Sequence, residues 1–310
     1  MSGDLPVTTH PDVAAALRAG DAVVALESTI ISHGLPPGRN IQVARDIEGA
    51  VRSSGAVPAT IAVLNGSIRI GLDDGDLEAI ATGEDVVKAS TRDLPVVLAQ
   101  GVPGATTVAA TAWLASLVGI DVFATGGIGG VHRGAMTSWD ESADLTGLAT
   151  SPVVVVCAGV KSILDVPATL ERLETLSVGV VGYRTEVFPG FYVRHTESGV
   201  PWRVESAREV AEVHAAKRAL ESPQALVVAN PIAAEHEMNR ELHDGVLASG
   251  LAALDEQGIR GKDVTPFLLA HFHEQTQGAS LDANIALVLS NARLAGEIAV
   301  AASASASASS

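Results

Sequence analysis

Along this chain, short runs of apolar and β-branched residues alternate with stretches whose apolar positions recur every three to four residues. Runs at 22–26, 60–64, 96–99, 122–125, 153–157, 178–181 and 225–229 are continuous rather than alternating, the pattern of strands buried on both faces. Between them, helices are predicted over 41–52 and 107–118, and the last third adds helices over 206–220, 234–257, 264–276 and 280–300. In the first of these, Val43, Ile47 and Val51 lie four apart, and Ser53, Ser54 and Gly55 stop the helix. Alternating strand and helix predicts a three-layer α/β/α fold with a mostly parallel central sheet. Asn65-Gly66, between TIAVL and SIRIG, predicts a two-residue hairpin turn and therefore makes the sheet mixed. No long Pro/Ser linker interrupts the pattern, so residues 1–300 read as one domain. The Ala/Ser stretch 301–310 reads as a frayed low-complexity tail without chemistry.

Composition narrows the function classes. The 310 residues are 47% hydrophobic and 18% charged, enough for a large core. A formal net charge of −16 opposes phosphate backbones and anionic lipid, so neither nucleic acid nor membrane is an expected partner. An anionic small molecule would need a local basic pocket. Cys157 is the single cysteine, which excludes an intramolecular disulfide and fits a reducing, cytoplasmic location. The start MSGDLPVTTHPDV lacks a signal-peptide pattern, and every long apolar stretch has polar interruptions, so no membrane span is expected.

In open α/β sheets ligands bind beyond the carboxyl ends of the strands, and in this chain those exits are polar. Glu27 to Gly34 (ESTIISHG) puts a carboxylate, hydroxyls and the His33 imidazole after the strand at 22–26. Thr125 leads into GGIGGVHRG, whose glycines let backbone N–H groups approach an anion and which ends in His132 and Arg133. That spacing matches neither a P-loop nor a dinucleotide fingerprint, and glycine content alone fits a tight chain reversal equally well. Asp140 to Asp144 (DESAD) offers hard oxygen ligands, or equally the acidic first turn of a helix. Lys88 and Arg92 are cations that could hold a phosphate, and Asn284 is a polar residue in an apolar helix. Lys161 closes the apolar run 152–160. Taken alone, a packed stem with a solvated ammonium accounts for it slightly better than a nucleophile does.

In order along the chain, VVALESTIISHGLP, GAVPATIAVLNG, VKASTRDLP, GATTVAATAWLA, VFATGGIGGVHRGA, SADL, VVCAGVKSILD, VVANPI, TPFLLA and SLDANIALVLSNARLAGEIA resemble the pseudouridine-5′-phosphate glycosidase family, also called the indigoidine synthase A-like family. The resemblance runs from about residue 23 to about residue 298, with local departures at Trp139-Asp140-Glu141 and Ala233-Ala234. It implies an α/β/α homotrimer that reversibly cleaves the C–C glycosidic bond of pseudouridine 5′-phosphate to uracil and ribose 5-phosphate. Protonating a leaving oxygen cannot serve there, because the leaving atom is carbon. The resemblance implies instead that the ribose opens, that Lys161 bonds C1′ through an imine, and that Glu27 donates the proton. It likewise makes Asp140 a Mn²⁺ ligand and places Ser142, Ala143 and Asp144 at the ribose phosphate. Lys88 and Val108 are implied substrate contacts, and His132, Thr125 and Asn284 join them from strand-exit position and family context. Other readings of the same residues are a Schiff-base aldolase or sugar-phosphate lyase, a phosphoglycosidase for another C-nucleotide, and a non-catalytic sugar-phosphate binder.

Overall fold

Eleven strands form one sheet in the computed structural model, which describes residues 5–260 and 264–308. They are β1 (Val7–Thr9), β2 (Val23–Glu27), β3 (Val57–Leu64), β4 (Ser67–Ile70), β5 (Val87–Ala89), β6 (Gly104–Thr106), β7 (Val122–Ala124), β8 (Val154–Cys157), β9 (Gly179–Tyr183), β10 (Arg203–Val204) and β11 (Leu226–Ala229). The main path runs β1-β4-β3-β2-β7-β8-β11-β9-β10. Every pair along it is parallel except β3–β4. Beside it, β6 pairs antiparallel with β3 and parallel with β5. The expected mixed, mostly parallel sheet is therefore present. Asn65 and Gly66 join β3 to β4 with φ of 52° and 70°, the two positive values that a type I′ turn requires.

The centre of the sheet shows why the chain alternates as it does. All four residues of β8 and of β11 are buried, because helices cover both faces. On one side the helix Ala279–Ala308 lies across β2, β7 and β8 and contacts helices Asn40–Ser53 and Ala207–Ala219. On the other, helix Val108–Leu117 contacts β2, β6 and β7 and packs on helix Ala143–Ala149, which meets helix Val166–Thr175. Caps fix the starts: Thr107, Ser142, Asp165 and Ser206 each accept a backbone N–H from the first turn of the helix that follows.

Three expectations fail, each for a physical reason. Residues 96–99 are not a strand but part of helix Leu94–Gln100, with Pro95 in its first turn and Gly101 ending it at φ 68°. Leu94 and Val97 face the core while Val96 is 54% exposed, a helical spacing that four consecutive apolar residues conceal. The predicted helix 234–257 is two pieces, a single turn at Ala234–His236 and a helix at Arg240–Gln257. Between them the Glu237 carboxylate accepts the Arg194 N–H at 2.8 Å, and the Asn239 side chain caps the second piece at Leu242 N. The last helix continues to Ala308 instead of stopping at 300, so the expected tail is helical as far as the described residues reach. Its stretch Ala279–Ser305 is long and apolar enough to cross a bilayer, contrary to the sequence expectation, yet half of it is buried against the sheet and neighbouring helices. β1, β5, β6 and β10 are two or three residues long and leave no periodic signal.

Gly147 sets the distance between the helices that carry Val108 and Asp144. A Cβ there would lie 2.6 Å from the Ala109 Cβ. Gly147→Ala is expected to cost about 1–3 kcal/mol by overpacking, and Ala109→Gly in the same chain to return part of that loss, both read by urea denaturation.

Candidate active site

Four neighbouring parallel strands, β2, β7, β8 and β11, end on the same side of the sheet, and their exits build the site. At the β2 exit Ser28 is fully buried; its hydroxyl donates to the Ile61 carbonyl at 2.7 Å and accepts the Thr106 N–H at 2.9 Å. Thr29 Oγ1 donates to the Thr106 carbonyl at 2.8 Å. These bonds tie the chain after Glu27 to β3 and β6. At the β7 exit the glycine loop runs beside the chain that follows β8: Ala158 N donates to Gly126 O, Ile128 N to Gly159 O, and Lys161 N to Ile128 O. Lys161 is accordingly not the last residue of a strand, as its apolar run suggests. β8 ends at Cys157, and a single bridge between Ile128 and Val160 carries the chain on to Lys161. Gly159, at φ 85°, makes this possible, since a Cβ there would sit 2.1 Å from the Pro189 carbonyl oxygen.

Asp144 clamps the opposite wall. It is buried, and its two oxygens accept the Ala109 N–H at 3.0 Å and the Gly129 N–H at 2.8 Å. Helix Val108–Leu117 and the glycine loop are thus held to helix Ala143–Ala149, where Ser142 Oγ accepts the Asp144 N–H at 3.2 Å. Gly129 is required for this closeness; a Cβ there would meet Ser142 Oγ at 2.3 Å.

Two connected chambers result. The larger, about 460 Å³, is polar and is lined by Lys88, Arg92, Val108, His132, Asp140, Ser142, Ala143 and Asp144 among others. The smaller, about 60 Å³, is mostly apolar, with Ile30, Phe191, Pro266 and Leu269 beside His33 and Asn284. Glu27, Thr29, Lys88, Lys161 and Thr265 line both, so the carboxyl and the amine stand where the chambers meet. Asn284 is buried in the smaller chamber, and its side-chain oxygen has no hydrogen-bond partner among the described residues. A buried acceptor of that kind is costly until a ligand or solvent donor meets it.

Electrostatics divide the titratable groups. Burial raises the Glu27 carboxyl above the ordinary glutamate range, although Lys161 and the Thr125 hydroxyl, which donates to Glu27 Oε1, pull it back. His132 is lowered, chiefly by burial and also by Lys88 and Lys161, while Asp140 opposes the shift. His33 is lowered by burial and by Lys88. Cys157 is wholly buried, and burial pushes its thiol up to about 12, so it serves as a core side chain and not as a nucleophile. At Asp140 the carboxylate lies 3.8 Å from His132 Nδ1, and its backbone carbonyl accepts the His132 N–H at 3.0 Å. Glu141 is engaged elsewhere, with Arg172 at 2.9 Å. Among the described residues no three His, Cys, Asp or Glu side chains are grouped to hold a metal ion.

Of the residues singled out from sequence, Lys161, Glu27, Lys88, Val108, His132, Asp140, Ser142, Ala143 and Asp144 line the larger chamber, and Asn284 the smaller. Thr125 lines neither; it stands behind Glu27 and reaches the site through that carboxyl. Phe191 had no sequence signal, whereas Thr265 and Asn291 lie inside the motifs TPFLLA and SLDANIALVLSNARLAGEIA without being singled out there. Thr265 and Phe191 face the chambers from distant parts of the chain. Asn291 is fully buried, and its amide donates to the Thr125 carbonyl at 2.8 Å.

Comparison with known proteins agrees with this architecture. The family model for indigoidine synthase A like protein matches residues 12–301. Pseudouridine-5′-phosphate glycosidase of Salinispora tropica is 58% identical over 295 residues, covering 94% of this chain and 91% of that protein. The enzyme of the same name from Streptomyces griseus is 59% identical over 292 residues, covering 94% and 90%. Among solved structures, the prealnumycin C-glycosynthase AlnA in complex with ribulose 5-phosphate superposes with a TM-score of 0.91 at 37% identity over 99% of both chains. An indigoidine synthase A-like protein of Thermotoga maritima gives 0.87 at 39% identity over 97% of both. With the family model spanning nearly the whole fold and every strand exit of the site inside it, this chain belongs to the indigoidine synthase A-like family.

Proposed function

We infer that this chain is a pseudouridine-5′-phosphate glycosidase, an enzyme that separates uracil from ribose 5-phosphate at a C–C bond. The observation that carries the reading is the position of Lys161 and Glu27 at the junction of a polar and an apolar chamber. A nucleotide laid across that junction has its base in the smaller chamber, its sugar phosphate in the larger, and the bond between them beside both groups. Asn284 offers the base an amide with an open acceptor, suited to a ring N–H. Lys88, Arg92, Ser142 and the backbone N–H groups of the glycine loop suit an anionic phosphate in an otherwise acidic protein.

In the proposed reaction the sugar ring opens as the C1′–O4′ bond breaks and the Lys161 amine bonds C1′; the proton the nitrogen loses balances the one O4′ gains as a hydroxyl. Glu27, held protonated by its burial, gives its proton to carbon 5 of the base as the C1′–C5 bond breaks. The lone pair on the Lys161 nitrogen forms the imine, so uracil departs neutral and the sugar stays on the enzyme. Water then hydrolyses the imine to ribose 5-phosphate and free amine. Read backwards, the same steps form a C–C bond. That accords with the likeness to a C-glycosynthase bound to ribulose 5-phosphate.

Asp140 is proposed as a ligand for Mn²⁺. The donor set fits a hard cation that keeps most of its waters, because Asp140 lines the larger chamber and no three His, Cys, Asp or Glu side chains are grouped to cage an ion among the described residues. Such an ion would supply positive charge to the phosphate end of the substrate.

Lys161→Ala is expected to abolish uracil release from pseudouridine 5′-phosphate, and borohydride with ribose 5-phosphate to leave a covalent sugar adduct on Lys161 in the unmutated chain, detected by peptide mass spectrometry. An active enzyme that never yields the adduct refutes the imine. Glu27→Gln should lower kcat by about 10²- to 10⁴-fold with KM little changed; a change confined to KM would assign Glu27 to binding. Because the acid works only while protonated and its pKa is raised, kcat should fall as pH rises through a value above the ordinary glutamate range of about 4.3, seen in the pH profile of uracil release.

A further inference from the structure

Behind the site, a chain of buried amides runs from the last helix to the catalytic carboxyl. Asn291 is fully buried in helix Ala279–Ala308, and its side-chain nitrogen and oxygen are both used. Its Nδ2 donates to the Thr125 carbonyl at 2.8 Å and to the Gly126 carbonyl at 3.3 Å, and its Oδ1 accepts from Asn230 Nδ2 at 2.9 Å. Asn230, at the β11 exit, is buried too and also donates to Ser290 Oγ at 3.2 Å. Gly126 O has a second donor, Ala158 N, whereas no other bond to Thr125 O is seen among the described residues. The far end of the chain is the Thr125 hydroxyl, which donates to Glu27 Oε1. A core helix has no need of an asparagine at full burial, and an apolar residue would pack there without a desolvation cost. The amide faces the one peptide that both ends β7 and begins the glycine loop.

We propose that Asn291, supported by Asn230, is a positioning residue that fixes the Thr125 peptide and so aims the Thr125 hydroxyl at Glu27. The proposal rests on Glu27 being the proton donor. A hydroxyl that donates to a carboxylate favours its ionised form, so the relay tempers an acid that burial alone would hold protonated too strongly to release its proton. Lys161, Asp144 and Lys88 also act on Glu27 and are untouched by the relay, so its effect is separable.

The test is a double-mutant cycle of Asn291→Ala and Thr125→Val, with Asn230→Ala as a weaker probe. Uracil release and direct ¹³C NMR titration of the Glu27 carboxyl, assigned by Glu27→Gln, are the two readouts. Both single variants should lower kcat by about tenfold or more with KM nearly constant, and both should move the Glu27 titration to higher pH. The double variant should be no worse than Thr125→Val, because residues acting as one unit are not additive. Additive losses with an unmoved Glu27 titration would overturn the proposal and leave Asn291 a packing residue. Should Asn291→Ala fold poorly, Asn291→Ser, which keeps a single donor, is expected to titrate between the unmutated chain and Thr125→Val; a titration matching the unmutated chain would also overturn it. If the unmutated chain releases no uracil, the functional reading fails, and the NMR titration alone still decides whether Asn291 controls Glu27.

Discussion

The Asp144 carboxylate, by accepting two backbone N–H groups from different elements, fixes the geometry on which the site depends. Gly129 belongs to the loop after β7 and Ala109 to the helix after β6, and neither would face the other without an acceptor between them. An unpaired buried carboxylate would cost several kcal/mol, so the three segments are held together or not formed at all. The glycine loop owes its register to this clamp on one side and to the chain after β8 on the other. Lys161 lies at the end of that second contact, which is how a residue outside any strand obtains a defined position.

The two chambers differ because different strand exits and helices build them. Carboxylates, hydroxyls and cations come from the loop and helix starts around the larger, and the apolar wall of the smaller comes from Ile30, Phe191, Pro266 and Leu269. The acidic surface and the basic lining are compatible since a few cations inside a low-dielectric cleft outweigh distant surface charge that solvent screens. Lys88 acts in that way on Glu27, His33 and His132, Lys161 on Glu27 and His132, and burial acts on all three. Carboxyl and imidazole are both pushed toward their neutral forms, a condition under which proton donation and acceptance can share one cavity near neutral pH.

Much of the fold was legible because burial leaves a periodic trace. The central strands β2, β7, β8 and β11 and the helices beside them were placed within a few residues, and the hairpin at Asn65-Gly66 was fixed by the backbone geometry those residues favour. Four consecutive apolar residues at 96–99 carry no such trace, and there Pro95 and Gly101 decide for helix. The break at 237–239 depends on Arg194 and Asn239, the first of which lies far away in sequence. Polar residues at strand exits named most of the site, because polar groups gathered at the end of a buried strand need partners, and a cleft open to ligand and solvent supplies them.

By itself, the sequence determined the layered α/β/α architecture, the family, and the residue types available for chemistry, because those follow from periodicity, turn preference and ordered motifs. Tertiary structure alone decided which of them meet. It put Lys161 and Glu27 at the junction of two chambers, set Thr125 behind Glu27 and not on the cavity wall, and brought Asn291, Phe191 and Thr265 to the site from remote segments. The physical reason is that pairing across 166 residues, as between Asn291 and Thr125, is written in no local pattern and exists only once the sheet has closed beneath the last helix.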